Sequence, residues 1–202
     1  MAAVAAEAGL SSGAVYTYVA SKEALFHLVF AFGFGELGEG VPELPIATPA
    51  FSDTLELIGQ GLRKAAASPR LRAALDEDAP AAVAVELTAV VEEHYATIAA
   101  LWPMLAVIER CAVDLPDLEV LYFRRGRRGY LTRLTRYVEQ RTHAGLFREL
   151  PDAAVTARII TEAVTWFAWH RREDRDADVY DDERARRTVV EFVCGALIEP
   201  GR

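Results

Sequence analysis

Apolar residues recur along most of the chain at intervals of three and four positions, a spacing that places them on one face of an α-helix. The repeating positions are Leu25, Leu28, Val29 and Phe32; Leu55, Ile58 and Leu62; Val83, Leu87, Val90 and Val91; Leu121, Leu131, Leu134 and Val138; Val155, Ile159, Ile160, Val164 and Phe167; and Val189, Val193, Ala196 and Leu197. No segment alternates with the period of two that is typical of a half-buried strand. The pattern predicts an all-α protein of roughly eight or nine helices.

Local signals divide the chain into two parts. Ser21, Thr48-Pro49 and Ser68-Pro69 are typical of residues that precede a helix. Residues 33–49 are rich in Gly and Pro, which indicates a linker. We therefore expect a small N-terminal domain over residues 1–35 and a larger helical domain over residues 36–202. Within the larger domain, Trp102-Pro103 predicts an interrupted helix, which would leave room for a cavity.

The first 19 residues have the pattern of a helix-turn-helix unit. Residues 4–8 predict a short helix, Gly9 suits the left-handed position that ends it, and residues 12–19 predict a second helix. Ala5 is small enough for two helices to cross closely, and we expect Val4, Leu10 and Val15 to form the core between them. In a helix-turn-helix protein the second helix enters the major groove of DNA.

These residues resemble the signature of the TetR family of bacterial transcriptional regulators. The matching pieces are Val4-Ala5, Ala8-Gly9, Ser11-Ser12-Gly13, Tyr16-Thr17-Tyr18-Val19 and Ser21-Lys22-Glu23-Ala24-Leu25. The resemblance implies an all-α, TetR-like fold in which an N-terminal helix-turn-helix unit is joined to a helical bundle that binds a ligand and dimerises. It also implies contacts with operator DNA from Ser11, Ser12, Gly13, Ala14, Tyr16, Thr17, Tyr18 and Lys22.

Two of these DNA-contact assignments leave an alternative open. Tyr16 is equally suited to a phosphate contact and to core packing. Lys22 begins a predicted helix, where the free N–H groups already favour a phosphate oxygen, but a lysine there can also be merely solvated.

For the larger domain, the resemblance implies a pocket for a small effector and a homodimer through the last two helices. The candidate ligand-binding residues are His94, Tyr95, Trp102, Met104, Glu109, Tyr122 and Tyr130, although for any single one of them packing in the helical core is the more common role. For the dimer interface, Trp166, Phe167, Trp169 and Val193 lie in helices with large apolar side chains on more than one face.

The chain departs from the family pattern in two ways. Val19 stands where the family usually has an aromatic residue, and Met1 falls within what would be the family's second helix. We therefore expect Val4, Val15, Val19 and Phe26 to lack a covering helix, so that the recognition helix frays and DNA binding is lost. A misassigned start codon or a truncated gene would account for the missing helix.

Charge and composition exclude several classes. The net charge is −8, and residues 1–35 contain one basic residue, Lys22, against Glu7 and Glu23, which disfavours broad nucleic-acid binding by bulk electrostatics. The basic run Arg124-Arg125-Gly126-Arg127-Arg128, followed by Arg133, Arg136 and Arg141, fits the outer face of a helix paired with acids better than a DNA site. Only two cysteines are present and no membrane span is predicted, so we expect a cytoplasmic protein.

No pattern of residues indicates catalysis or a cofactor. The glycines at 33, 35 and 38 match a dinucleotide pattern but follow a helix rather than a strand. Asp174, Asp176 and Asp178 begin like a calcium loop, which then lacks its required glycine and glutamate. We expect no cofactor, no metal and no enzyme, but a DNA-binding regulator, most often a repressor, that a small effector releases. The alternative is a dimeric ligand-binding protein of the same fold that has lost DNA recognition.

Overall fold

The computed structural model describes residues 1–38, 42–77, 82–176 and 181–199, and all regular structure within them is helical. The prediction of an all-α protein is confirmed. The described residues form nine helices: α1 (Ala2–Glu7), α2 (Ser12–Val15), α3 (Lys22–Gly33), α4 (Phe51–Ala65), α5 (Pro69–Asp76), α6 (Val83–Ala112), α7 (the consecutive spans Pro116–Glu119, Val120–Arg127 and Arg128–His143), α8 (Ala153–Ala168) and α9 (Asp182–Leu197). The middle span of α7 is a π-helix, and a 3-10 turn, His170–Glu173, follows α8.

Three predicted helix starts have three different outcomes. Ser21 caps α3 as predicted, since its hydroxyl oxygen accepts a hydrogen bond from the Ala24 N–H at 3.0 Å. Ser68 precedes α5 but makes no capping bond. The start predicted at Thr48-Pro49 is wrong, because α4 begins at Phe51 and Thr48 instead donates a hydrogen bond to Ser21 Oγ at 2.7 Å.

The predicted interruption at Trp102-Pro103 is also wrong. Helix α6 runs through Pro103 without a break. A proline inside a helix removes one backbone hydrogen bond, and contacts with neighbouring helices can hold the helix together across that gap. Leu105 and Ile108, one turn beyond Pro103, are buried among α3, α4 and α7 residues and provide such contacts.

Helix α6 organises the larger domain. Its first half packs with α5, α7, α8 and α9 around one apolar cluster, and its second half packs with α3, α4 and α7 around another. Within the described residues, α6 is the one helix that is long and apolar enough by length and composition to cross a membrane. Its packing against helices on several sides is typical of the central helix of a globular domain.

A buried ion pair ties three helices of this domain together. Arg141 on α7 is 1% exposed and binds both carboxylate oxygens of Glu86 on α6, at 2.7 and 2.8 Å. It also donates to the carbonyl oxygens of Ala74 and Glu77, at the end of α5. The Tyr137 hydroxyl donates to the same carboxylate at 3.0 Å. The expectation that Arg141 lies on an outer face is therefore wrong, because the α5 carbonyls and Glu86 supply partners for a buried guanidinium.

The N-terminal unit has a separate and much smaller core. Its buried residues are Ala5, Val15, Val19 and Ala24, with Ile46 packed against them. Ile46 comes from the predicted linker and is fixed to the unit by two backbone hydrogen bonds, from the Ala20 N–H to the Ile46 carbonyl and from the Ile46 N–H to the Tyr18 carbonyl. Part of the linker is therefore a structural element of this unit.

This arrangement corrects the expected exposure of the N-terminal core. Val15 and Val19 are buried rather than uncovered, because Ile46 packs beside them. Val4 and Leu10 were expected in the core but are exposed. Successive helical residues point about 100° apart, so the burial of Ala5 turns its neighbour Val4 away from the core.

The second helix is shorter than predicted. Regular α-helix ends at Val15, and residues 16–18 continue with N–H bonds to the carbonyl three residues earlier. A helix that starts with Ser-Gly has low intrinsic propensity, and tight turns of this kind are common at helix ends. Gly9 adopts a left-handed conformation with φ +67° between α1 and α2, as predicted.

Candidate DNA-binding face and ligand cavity

The residues predicted to contact DNA form an exposed, hydroxyl-rich surface around α2. Within the predicted set, only Ala14 is partly buried, and the others are exposed: Ser11, Ser12, Gly13, Tyr16, Thr17, Tyr18 and Lys22. Val15 lies beneath them in the small core. Tyr16 and Tyr18 are 47% and 51% exposed, so the core-packing alternative for Tyr16 is excluded.

Local hydrogen bonds determine whether the Ser11 and Thr17 hydroxyls remain available to DNA as donors or as acceptors. Ser11 caps α2, with its oxygen accepting the Ala14 N–H at 3.1 Å, so its own proton remains available to a phosphate oxygen. Thr17 donates its proton to the Ala14 carbonyl at 2.7 Å, so its oxygen is left as an acceptor. Ser11 is therefore suited to a phosphate, and Thr17 to an amino group on a base edge.

Lys22 lies at the start of α3 and lines a groove beside this surface. The groove has a volume of about 610 Å³ and is bounded by α1, α3, the start of α4 and the end of α6. Most of its lining is apolar: Met1, Val4, Leu25, Phe26, Val29, Pro49, Phe51, Val107 and Leu115. Phe26, expected to lack cover, is partly buried here and meets Phe30 edge-on at 4.9 Å. Glu23, in the first turn of α3, competes with a phosphate for the positive end of the helix.

A second cavity lies inside the larger domain, between α4, α6, α7 and α8. Its volume is about 90 Å³. The lining combines apolar side chains with hydroxyls, one imidazole and one guanidinium: Leu62, Ala65, Ala66, Ser68, His94, Thr97, Ile98, Leu101, Leu105, Tyr122, Gly126, Arg127, Tyr130, Thr161 and Thr165. A concave, mostly apolar space with a few polar groups is typical of a small-molecule site.

His94 is the most unusual group in this cavity. Its ring stacks on Tyr130 with centroids 4.1 Å apart, and its Nε2 is buried without a hydrogen-bond partner. Burial lowers the pKa of His94 from 6.5 to about 3, so the imidazole is neutral at physiological pH. Burial also raises the pKa of Tyr130, whose hydroxyl therefore stays protonated.

The π-helical span of α7 forms one wall of the cavity. Tyr122 and Arg127 both line it, although five residues separate them. In an α-helix such residues point about 140° apart, whereas the wider π turn brings them to one face. Arg127 is paired through Nη2 with Glu162 on α8 at 2.5 Å, and Glu162 also accepts from Arg158 at 2.7 Å.

Of the seven candidate ligand-binding residues, the structure brings three to this cavity: His94, Tyr122 and Tyr130. Tyr95 is buried in the core and its hydroxyl donates to the Phe167 carbonyl. The Arg172 guanidinium lies over the ring of Trp102, with its Cζ 6.0 Å from the centre of that ring. Met104 faces α3, where a Cβ on Gly33 would collide with its Sδ. Glu109 does not line the cavity but affects a residue that does. The pKa of Tyr122 is raised chiefly by burial and next by the nearby Glu109 carboxylate.

The other twelve lining residues were not indicated by the sequence, and five of them carry polar side chains: Ser68, Thr97, Arg127, Thr161 and Thr165. Arg127 belongs to the basic run that was expected on a solvated face, and only the π turn directs it to the cavity. Within that run, Arg124 is exposed and pairs with Glu119 at 3.2 Å, as expected, whereas Arg133 is partly buried and donates to the Ala66 carbonyl on a neighbouring element at 2.7 Å.

The last two helices present an exposed apolar face. Val155, Ile159 and Trp166 lie on the outer side of α8, and Phe192, which is 67% exposed, lies on α9. Two residues expected in this face are instead core residues: Val193 is 3% exposed and Trp169 is likewise buried. On α9 it is Phe192, the neighbour of Val193, that points outward, because helical geometry separates adjacent side chains by about 100°.

Within the described ranges, no group of three or more His, Cys, Asp or Glu side chains is arranged to hold a metal ion. Asp178, part of the acidic segment considered as a calcium loop, lies outside the described residues. Comparisons of the chain with models of protein families, with curated proteins and with solved structures return no match.

Proposed function

We propose that this chain is a cytoplasmic, homodimeric DNA-binding transcriptional regulator of the TetR type, a repressor that a small effector releases from its operator. The observation that supports DNA binding best is the hydroxyl-rich surface around α2. A helix-turn-helix unit would place this surface in the major groove, where Ser12 and Thr17 reach base edges and Ser11 and Tyr18 reach phosphates.

The exposed face of α8 and α9 supports the dimer. Val155, Ile159 and Trp166 on α8 and Phe192 on α9 are exposed apolar side chains on two helices that pack together, and two copies related by a two-fold axis would bury them in a four-helix contact. Dimerisation would set the separation of two helix-turn-helix units, which must be about 34–36 Å to match successive half-sites. An effector that favours a different separation would shift the population away from the DNA-bound form.

The dimer is tested with Ile159→Asp combined with Phe192→Asp. We expect a folded monomer in sedimentation velocity, because four charges would enter one apolar interface. Val113→Asp is the matched control, since Val113 is equally apolar and 86% exposed but lies at the end of α6. A dimer that survives the double substitution would contradict this interface.

DNA binding is tested by selecting bound sequences from a random duplex library and measuring affinity for the enriched sequence. The two lysines of the chain form a matched pair, because Lys64 is exposed on α4 and pairs only weakly with Glu36, at 3.9 Å. Lys22→Ala should weaken binding to specific and random DNA alike and reduce the salt slope by about 0.9 for each phosphate that the lysine neutralises. Lys64→Ala should change neither.

A second candidate is a dimeric ligand-binding protein of the same fold that does not bind DNA. The charge of residues 1–35 favours it, with Lys22 opposed by Glu7 and Glu23. A dimer that binds a ligand but enriches no sequence from the library would support this candidate and overturn the regulator.

A further inference from the structure

We infer that the cavity between α4, α6, α7 and α8 binds an uncharged, mostly apolar molecule of about one ring in size, held by one hydrogen bond to His94 Nε2. This inference rests on the proposed function only in treating that molecule as the effector. The binding chemistry itself follows from the cavity.

The unpartnered nitrogen is the first argument. His94 Nε2 is buried and has no hydrogen-bond partner among the described residues. A buried polar atom without a partner has lost its hydrogen bond to water and gained none in return, which destabilises the empty cavity. Neighbouring hydroxyls do not relieve it, since Thr97 donates to the Glu93 carbonyl and Thr161 to the Ala157 carbonyl. A ligand group that can donate or accept would supply the missing partner.

Charge selects against ionised ligands. The cavity's one guanidinium, Arg127, already binds Glu162, and the His94 imidazole is neutral. An anion would have to share the Arg127 charge with Glu162 and approach that carboxylate, and a cation would find no carboxylate among the lining residues. Because removing an ion from water is costly without a paired charge, the cavity favours a neutral molecule.

Size limits the ligand further. The cavity of about 90 Å³ is smaller than the roughly 150 Å³ engineered cavity that accommodates benzene. A ring that is fully enclosed therefore requires the wall to move outward, and we assign that movement to the π-helical span, because π turns are rare and are frequently found at functional sites. Entry of a ring would thus displace Tyr122 and Arg127, and with them the Arg127–Glu162 link between α7 and α8.

The test compares phenol, toluene and benzoate by isothermal titration calorimetry at pH 7. Phenol and toluene have nearly the same shape, but only phenol carries a hydroxyl, which can pair with either tautomer of His94. We expect saturable binding of phenol, about tenfold tighter than toluene, and no binding of benzoate at the same concentrations.

His94→Phe keeps an aromatic ring beside Tyr130 and removes the nitrogen, so it should abolish the preference for phenol over toluene. His143→Phe makes the same substitution at an exposed position of α7 and should leave the preference unchanged. Leu101→Phe, which adds bulk to the cavity wall, should weaken both ligands together.

Four results would overturn the inference: no saturable binding of phenol, equal affinities for phenol and toluene, tighter binding of benzoate, or a preference that persists in His94→Phe. Failure of the proposed function has a different signature. If phenol binds through His94 but does not release the selected DNA, the inferred binding chemistry is correct but the cavity is not an effector site.

Discussion

The N-terminal unit and the larger helical domain are stabilised in different ways. The larger domain has two apolar clusters built from Leu, Ile, Val and aromatic residues contributed by seven helices. The N-terminal unit's own cluster contains only Ala5, Val15, Val19 and Ala24, with Ile46 packed against it from outside the helix-turn-helix sequence, whereas Phe30 of α3 is buried in one of the large clusters. Since burying one Val or Ile contributes roughly 1.5–3 kcal/mol, the small unit is marginal and the large domain is not.

The two regions also treat polar groups differently. The larger domain buries polar side chains, some fully paired, as at Arg141, and others with an unpaired atom, among them His94 Nε2. The N-terminal unit exposes its hydroxyls and buries no charged side chain among residues 1–35. Substitutions in the large domain should therefore change global stability, whereas those in the small unit should change local opening.

The largest effect is expected from Arg141→Met. This change leaves Glu86 buried without its cation and frees the carbonyls of Ala74 and Glu77, so the free energy of unfolding should fall by about 3–5 kcal/mol. Urea unfolding followed by far-UV circular dichroism measures it. Arg124→Met, which removes the exposed pair with Glu119, should cost at most about 1 kcal/mol. Equal destabilisation in the two variants would contradict the claim that the buried Arg141–Glu86 pair contributes more to stability than an exposed pair.

The next effect concerns pH. The folded-state pKa of His94, about 3, lies below its unfolded value of 6.5, so at pH values between them the unfolded chain binds a proton that the folded protein does not. Stability should therefore fall as the pH drops from 6.5 toward 3. Between pH 7 and pH 5 this site should cost about 2 kcal/mol.

His94→Phe isolates that contribution. The variant should be more stable than the parent at pH 7, because no nitrogen is left unpaired, and its advantage should grow by about 2 kcal/mol at pH 5. Urea unfolding at the two pH values measures both quantities. Parallel stability profiles for parent and variant would show that His94 is not held neutral by burial.

A smaller and local effect is expected from Ile46→Ala. Removing part of the side chain that covers Val19 should destabilise the N-terminal unit by about 1–2 kcal/mol. Amide hydrogen exchange at Val15 and Val19 should accelerate about tenfold, while α6 to α9 stay unchanged. Leu44→Ala, at an exposed position of the same segment, should have no effect. Faster exchange throughout the chain would mean that the two regions unfold together.

The smallest effect compares two glycines of the N-terminal unit. A Cβ added at either would have no heavy atom within 4 Å, so space does not distinguish them. Gly9 has φ +67°, and Gly9→Ala should cost about 1 kcal/mol, whereas Gly13 lies in α2 and Gly13→Ala should stabilise by up to about 0.5 kcal/mol. Exchange at Val15 reports both. The same sign for both substitutions would contradict a left-handed requirement at Gly9.

Features that depend on a few neighbouring residues were predicted from the sequence. The all-α class follows from the period of the apolar positions, the start of α3 from the capping hydroxyl of Ser21, and the turn after α1 from Gly9. The exposure of the hydroxyl-bearing residues between Ser11 and Tyr18, with Val15 buried beneath them, also agrees with the motif. Each of these is set by backbone geometry over one or two turns.

Features that depend on distant residues were set by the packing of the helices. Periodicity does not say that Ile46 covers Val19, that Val193 rather than Phe192 enters the core, or that Arg141 meets Glu86. It also misplaced Arg127, because an α-helical spacing cannot anticipate a π turn that rotates the residues after it. The order of residues was enough to indicate which segments are helical and where several begin. Packing determined which side chains are buried, which polar groups are paired, and that His94 faces a cavity, because these depend on the sum of many contacts between residues far apart in the chain.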